Sequence, residues 1–382
     1  MNIKLKYKML IMIIIGLLTR FILFDWVSAD YKVFIEKWLE FINSHDGFNS
    51  LKYVFTNYNL PYVIILVIIN YIPINSLYLV KFVSVIFDIL LAFLGYKFVI
   101  NLNGDKNKAF TCFSLILFLP TVIMNSSQWA QCDAIYAFFS LLSIYLLIKN
   151  KITLSFIMYG VAFAFKLQAI FLLPAFGILF LCKKEIKIYH FLIIPLVNFI
   201  LCLPAVFFGA SPIYTYKIYF LQSSTYEHSM NVMNYYNYYS RNFTFTHEKI
   251  INIIGIVITA IVFLGILIYS LKNKNKFNNK SIMLLFLLSI TTCYFFLPCM
   301  HDRYLYCADI LSIIIYFSIL NKKYIPIVIN TCSFLSYIFL MGYLPMRWVF
   351  RRVLPILLLI DLIIIFIELK KEVSKFDGHP IL

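Results

Sequence analysis

Polar side chains that could do chemistry stand at the ends of apolar runs. Asp30-Tyr31 follows the first run, and Trp129, Gln131 and Asp133 stand between two later ones. A carboxylate beside a membrane helix is costly against lipid but useful when it faces a cavity. Gln and Asp hydrogen-bond sugar hydroxyls, and an indole stacks on a sugar ring. The simpler interpretation makes both aspartates helix caps and Trp129 an interfacial anchor.

Lys166 and Gln168 interrupt a long apolar stretch. A lysine at the apex of a helix hairpin cannot easily reach water, so Lys166 should pair with an anion. A lipid phosphate or Asp133 would serve. Plain surface exposure at the turn is the alternative.

Polar and basic side chains gather at the boundaries of the late apolar runs. One segment contains His301, Asp302, Arg303 and Tyr304, and another contains Arg347, Arg351 and Arg352. Guanidinium groups match phosphate oxygens, so an anionic substrate would account for them. Anionic lipid head groups are the alternative partners.

The elements that must position these residues are membrane helices. The chain has 382 residues, of which 62% are hydrophobic and 13% charged, so it is too apolar for one water-soluble core. We predict an all-α polytopic membrane protein with one transmembrane domain, residues 1–382. The net charge of +16 comes from lysine clusters between apolar runs, which indicates topology and not a nucleic-acid partner.

The basic clusters predict the orientation. Lysines before the first run place the N-terminus in the cytoplasm, and six later clusters fall on the same side if the chain crosses twelve times. Both termini are then cytoplasmic and the motifs above are extracytoplasmic, in a multi-pass protein of the cell membrane. The predicted crossings are 9–27, 77–100, 110–124, 133–148, 152–165, 167–181, 189–208, 251–271, 281–298, 305–320, 324–343 and 353–369.

Two external loops and one short run complete this organisation. The first loop, 28–60, carries an amphipathic stretch that predicts an interfacial helix, and the second, 209–250, is rich in Tyr and Asn. That Tyr/Asn cluster would contact carbohydrate or form an aromatic belt. The run at 62–73 is too short to span, so we interpret it as re-entrant or interfacial. A signal-peptidase site ending at Ala29 is a competing interpretation of the start of the chain.

In chain order, five segments resemble the motif series of the GT-C glycosyltransferases that use polyprenyl-phosphate sugars. They are Asp30-Tyr31, Tyr58-Asn59-Leu60-Pro61-Tyr62, Trp129-Ala130-Gln131-Cys132-Asp133, Phe165-Lys166-Leu167-Gln168 and Met300-His301-Asp302-Arg303-Tyr304. The nearest resemblance is to bacterial proteins related to the second mannosyltransferase of GPI-anchor assembly. The dolichyl-phosphate-glucose glucosyltransferases are more distant. The resemblance covers about residues 20 to 310. Ala130 stands where that family usually has glycine, and Asp302 where it has glutamate.

The resemblance implies a GT-C fold with about 12 transmembrane helices and an inverting hexose transfer from a polyprenyl-phosphate sugar to a lipid-linked or cell-envelope glycan. Asp30 would be the catalytic base. The donor phosphate would be bound by Lys166, His301, Arg303, Arg347 and Arg351. Sugar or acceptor would be bound by Tyr31, Trp129, Gln131, Asp133, Gln168 and Tyr304. No cofactor is required and no residue is assigned to metal, although a divalent metal is compatible with the scheme. Membrane lipids are the other expected partners, and a monomer is expected.

Other classes of membrane protein remain open on the sequence. A glycan ligase or polymerase using a lipid-diphosphate donor would also need several arginines. A transporter or flippase of lipid-linked sugars usually shows two related halves, and no repeat is visible here. A purely structural subunit leaves Asp30, Asp133, Lys166 and His301 without a role.

Overall fold

The computed structural model describes residues 3–214, 216–219, 232–239, 241–345 and 348–375, with side chains left out at 241–246, 348 and 349. This part of the chain is all helical and contains no strand. The α-helices are α1 (Ile3–Phe21), α2 (Glu36–Ser44), α3 (Leu60–Asn70), α4 (Ser76–Leu102), α5 (Lys106–Leu117), α6 (Pro120–Ile123), α7 (Asp133–Ile148), α8 (Ile152–Phe165), α9 (Leu173–Cys182), α10 (Ile188–Phe207), α11 (Arg241–Lys272), α12 (Asn279–Phe296), α13 (Tyr306–Ser318), α14 (Tyr324–Leu340) and α15 (Trp348–Ser374).

Several helices have the length and composition of membrane spans. They are Ser76–Leu102, Ile188–Phe207, His247–Lys272 and Asn279–Phe296, with a fifth if the bent pair Lys106–Leu117 and Pro120–Gln128 counts as one span. Only 22% of the apolar window of Ile188–Phe207 and of His247–Lys272 is buried within the protein. Such outward-facing apolar surface needs lipid around it, so the protein is membrane-embedded.

Two predicted crossings depart from a single straight α-helix. One is bent at a proline, and the other begins as a 3₁₀ segment that continues into α9. Within 110–124, α5 ends at Leu117 and the chain turns by 44° before it continues at Pro120. The proline ring pushes Leu119 into extended backbone (φ −62°, ψ 125°) and removes one helical N–H. Within 167–181, a 3₁₀ segment runs from Leu167 to Leu172, and α9 begins with Pro174 in its first turn.

The chain forms two compact units. The first consists of Met1–Ala169 with Tyr189–Thr225, and the second of Ile170–Ile188 with Tyr226–Leu382. In the first unit, α4 packs against α5 and α7, and α7 packs against α8. In the second, α15 packs against α12 and α14, and α14 packs against α13.

The first unit encloses an apolar core beneath the 28–60 segment. The predicted amphipathic stretch forms α2, whose Trp38, Leu39 and Ile42 are buried in this core, whereas Phe34 just before it is 37% exposed. The core also includes Leu66 and Val67 of α3, the short run that we expected not to span. Because α2 and α3 pack in the same core, the 28–60 segment that carries Asp30 is held against the helices of the first unit.

The second predicted loop is shorter than 209–250. Helix α11 begins at Arg241, ten residues before the predicted start of its span at 251, and departs from helical geometry at His247 (φ −120°, ψ 18°). The apolar periodicity starts after this kink, and the part of α11 with the composition of a membrane span, His247–Lys272, contains the predicted crossing at 251–271. Tyr235–Tyr238 form a 3₁₀ turn before α11, with the Tyr236 hydroxyl donating to the Phe296 carbonyl oxygen at 3.1 Å.

Candidate active site

The first unit brings Asp30 and Gln131 together although 101 residues separate them. The Gln131 side-chain Nε2 donates to Asp30 Oδ2 at 2.9 Å, and Gln131 Oε1 accepts from the Tyr58 hydroxyl at 3.1 Å. This amide orientation is the one the partners require, since an ionised carboxylate can only accept a hydrogen bond. Asp30 makes no side-chain capping bond to the helix that follows it, so the capping interpretation does not hold. Its carboxylate lies half-buried beside a motif from another helix pair.

Lys166 and Asp133 form a buried ion pair in the same unit. The ammonium lies 2.5 Å from Asp133 Oδ1, and the side chains are 6% and 1% exposed. Asn125 Nδ2 donates to the other oxygen, Asp133 Oδ2, at 2.7 Å. Of the partners expected for Lys166, the structure has Asp133, and the alternative of surface exposure is wrong. Asp133 is the first residue of α7, and its carboxylate is completely buried.

Tyr58 connects the two hydrogen-bonded groups. Its ring lies under the Lys166 ammonium, 5.4 Å from Nζ to the centroid, and its hydroxyl donates to Gln131. Trp38 of α2 meets this ring edge-on at 5.4 Å. A ring beneath a lysine provides cation–π attraction. Asp30, Gln131, Tyr58, Lys166 and Asp133 are therefore one linked set, which we call the Asp30–Lys166 network.

The segment that carries the Trp-Ala-Gln motif has unusual backbone geometry. Met124–Gln128 is one turn of π-helix, the wide form that often occurs at functional sites. Ala130 then takes a left-handed conformation (φ 59°), which places the Gln131 N–H on the Asn125 carbonyl oxygen at 2.9 Å. Glycine adopts this φ without strain, whereas an alanine at this position is strained.

A second π-turn and one serine fix the Asp30 segment. Tyr31–Ile35 forms the π-turn directly after Asp30. The Ser28 hydroxyl donates to the Trp129 carbonyl oxygen at 2.8 Å and accepts from the Tyr31 N–H at 3.1 Å. Ser28 thus connects both predicted motifs through a single side chain. Burial, with a smaller effect of Glu36, raises the pKa of Tyr31 to about 12, so its phenol stays neutral.

Two buried cations that the sequence analysis did not single out hold the chain near Asp30, and the first of them is Lys81. Lys81 on α4 donates from Nζ to the carbonyl oxygens of Leu23, Phe24 and Trp26 at 2.7–2.8 Å, where the chain leaves α1 toward Asp30. It is completely buried. A lysine inside a predicted span was the available signal, since charges at such depth are normally functional or paired.

The second missed cation belongs to a charge cluster under the π-turn. Arg20 Nε lies 2.9 Å from Asp88 Oδ2, and the Ser126 hydroxyl donates to the same oxygen at 2.6 Å. Arg20 also donates to the Leu117 carbonyl oxygen at 2.9 Å. All three charged or polar side chains are buried, so the cluster ties α1, α4 and the 124–128 turn together.

The remaining assigned residues of the first unit lie near this set. Trp129 and Tyr31 are buried. Gln168 is half-buried, and its side-chain oxygen Oε1 has no hydrogen-bond partner in the described structure. An unpaired amide oxygen is an acceptor for a ligand hydroxyl, as the assignment of Gln168 to sugar or acceptor requires.

The other anion-binding candidates belong to the second unit. His301 is 7% exposed, and its ring lies 5.2 Å from that of Tyr304. Arg303 follows in the same turn, and Arg351 lies in the first turn of α15, where its Nε is buried without a partner. Arg352 donates to the Tyr238 carbonyl oxygen at 2.8 Å. Arg347 lies outside the described residues.

Among the described residues, no group of three or more His, Cys, Asp or Glu side chains has the arrangement of a metal site. The Asp30–Lys166 network provides proton acceptors, hydrogen-bond donors and one cation. Such a set can take a proton from a hydroxyl at Asp30 and orient polar ligands. Comparisons with protein-family models and with curated proteins find no match for this chain.

Proposed function

We propose that this protein is an inverting membrane glycosyltransferase that transfers a hexose from a polyprenyl-phosphate sugar to a lipid-linked or cell-envelope glycan. The observation that carries the proposal is the 2.9 Å hydrogen bond from Gln131 to Asp30. It joins the two motifs that the resemblance assigns to one active site, and Asp30 makes no side-chain capping bond that would account for it.

Asp30 is the base in this proposal. Gln131 donates to its Oδ2, and the half-buried carboxylate would take the proton of an acceptor hydroxyl. The hydroxyl oxygen attacks the anomeric carbon, its proton moves to Asp30, and the bond to the phosphate oxygen breaks. The polyprenyl phosphate leaves with the electron pair of that bond. One displacement inverts the anomeric carbon and needs no covalent enzyme intermediate.

Lys166 contributes as a positioned charge. Asp133 holds the ammonium, and Asn125 in turn donates to the other oxygen of Asp133, so the ammonium is preorganised before substrate arrives. Two of its three N–H bonds remain for other acceptors, such as a phosphate or sugar oxygen. Fixed charge of this kind stabilises a leaving phosphate without reorganising during the reaction. His301, Arg303, Arg347 and Arg351 are the further candidates for phosphate.

The proposal includes the membrane arrangement. We propose a GT-C fold in one domain with twelve crossings. They are the four spans of full length, the bent pair, α1, α15 and the apolar helices of 10–17 residues other than Leu60–Asn70. Both termini are then cytoplasmic and the Asp30–Lys166 network is extracytoplasmic. The lysine clusters support this orientation through the positive-inside rule.

The test is transfer from defined donors by the purified protein. A panel of radiolabelled undecaprenyl-phosphate hexoses is offered with membrane lipid extract as acceptor, beside the matching undecaprenyl-diphosphate sugars. The proposal expects label transfer from a monophosphate donor only, with the opposite anomeric configuration in the product. Transfer from diphosphate donors alone would replace it with the ligase or polymerase. Retained configuration would exclude a single displacement.

A further inference from the structure

A carboxyl group outside the candidate active site lies in the middle of α15. Asp361 is flanked by Ile360 and Leu362 in a continuous apolar run, and it is 1% exposed. Both of its carboxylate oxygens are buried and have no hydrogen-bond partner in the described structure. An ionised carboxylate offers about four lone pairs and normally fills them, so this environment is unusual.

Two other buried aspartates show what an ionised carboxylate has around it in this protein. Asp88 has Arg20 and the Ser126 hydroxyl, and Asp133 has Lys166 and the Asn125 amide. Each is paired with a cation and a neutral donor. Asp361 has neither kind of partner. Burial removes water from its carboxyl group, and no described charged side chain offsets the cost of a negative charge there.

Among the side chains that the structure describes, the helices packed against α15 supply no cation beside Asp361. On α14, Tyr324 and Cys332 lie within electrostatic range of the carboxyl, and neither is a cation. On α12, the titratable groups are Cys293 and Tyr294 in its last turns and Lys280 in its first turn. Asp309 on α13, whose Oδ2 accepts from the Ser333 hydroxyl at 2.7 Å, would add negative charge.

A carboxyl in such surroundings must lose its charge, since an isolated buried anion is far more costly than a neutral acid. A multivalent metal is a poor candidate for the compensating charge, because the described residues bring no three metal-ligating side chains together. A proton, in contrast, neutralises the carboxylate without any further ligand. We propose that Asp361 is a proton-binding site in the apolar interior of the second unit and carries its proton at neutral pH.

Infrared spectroscopy of the purified protein tests this directly. A protonated carboxyl has a C=O stretch above the amide I band, and this band shifts in D₂O. The difference spectrum between wild type and Asp361→Asn at neutral pH should contain it. Asparagine matches the shape and neutrality of the protonated side chain, so the variant should fold. A difference spectrum without this band, or with a carboxylate band instead, overturns the proposal.

Labelling of the wild type with dicyclohexylcarbodiimide identifies the residue without any variant. The acid proton passes to a reagent nitrogen and the carboxylate adds to the reagent carbon, so the adduct has the mass of protein plus one reagent. Peptide mapping should find the adduct at Asp361 and none at the ion-paired Asp88 and Asp133. Labelling of those two in preference to Asp361 would contradict the proposal. Protection of Asp361 by Na⁺ would assign a metal cation in place of the proton.

Discussion

The buried ion pair of Lys166 and Asp133 allows a quantitative prediction. At 2.5 Å and an effective dielectric constant of about 20, Coulomb's law gives an attraction of roughly 7 kcal/mol. Desolvation of two charges offsets much of it, so the informative quantity is the cost of breaking the pair. Lys166→Met leaves a buried carboxylate that has lost its cation and keeps the Asn125 amide as a donor. We expect it to lower the free energy of unfolding by about 3–5 kcal/mol.

The double variant Lys166→Met/Asp133→Asn separates pair energy from other effects. With both charges gone, no buried charge is left without a partner. The loss of unfolding free energy in the double variant should therefore be smaller than the sum of the losses in the two single variants by roughly 1–3 kcal/mol. The assay is reversible unfolding in mixed detergent and SDS micelles, followed by tryptophan fluorescence. Lys371 and Glu368 supply the control cycle, since their 2.8 Å pair lies on one helix with the lysine 57% exposed. That pair should couple by less than about 0.5 kcal/mol. A Lys166–Asp133 coupling no larger than that of the control would refute the reasoning.

Three further predictions follow from the frame of the site. Ala130→Gly should raise the free energy of unfolding by up to about 1 kcal/mol, because alanine is strained at φ 59°. The control variant Ala134→Gly, inside α7, should lower the free energy of unfolding by about 1 kcal/mol. Equal shifts of the two variants in the same unfolding assay would contradict this. Lys81→Met should cost about 3 kcal/mol or more, since three carbonyl oxygens lose a charged donor, and an unchanged unfolding curve would exclude that role. Gln131→Met should lower kcat by roughly tenfold to hundredfold, because Asp30 loses its amide donor; a full rate would show that the bond positions nothing.

Sequence patterns located most helices well because long apolar runs admit few other structures in a membrane protein. The runs at 133–148 and 152–165 coincide with α7 and α8. Boundaries failed where the apolar pattern and the helix differ. α1 begins at Ile3 among lysines, and α11 begins at Arg241 before its apolar segment. Hydropathy detects lipid-facing length, whereas helices extend wherever their backbone is hydrogen-bonded.

The candidate site was predictable in composition but not in its pairings. Asp30, Gln131, Asp133 and Lys166 were all singled out, and one of two partners expected for Lys166 is present. Nothing in the sequence specified that Gln131 would bond to Asp30, since hydrogen bonds over a hundred residues depend on tertiary packing. Tyr58, which connects the network, had no recognisable chemistry of its own.

The supporting charges were visible and were overlooked. Lys81 and Asp88 stand seven residues apart inside an apolar run, two helical turns along one face. Charges at that depth are rare unless they are paired or functional. The length of this run predicts a span but does not reveal Asp88, which anchors α1 and the 124–128 turn to α4.

The central claim, that Asp30 is the catalytic base, is tested most directly by the rate of hexose transfer by Asp30→Asn beside Asp46→Asn. Asp46 is an exposed carboxylate in the same 28–60 segment, at a left-handed position (φ 54°) that asparagine tolerates. With the donor found for the wild type, we predict that Asp30→Asn lowers kcat by roughly 10²–10⁴-fold, while Asp46→Asn keeps the wild-type rate. Equal rates for the two variants would contradict the account.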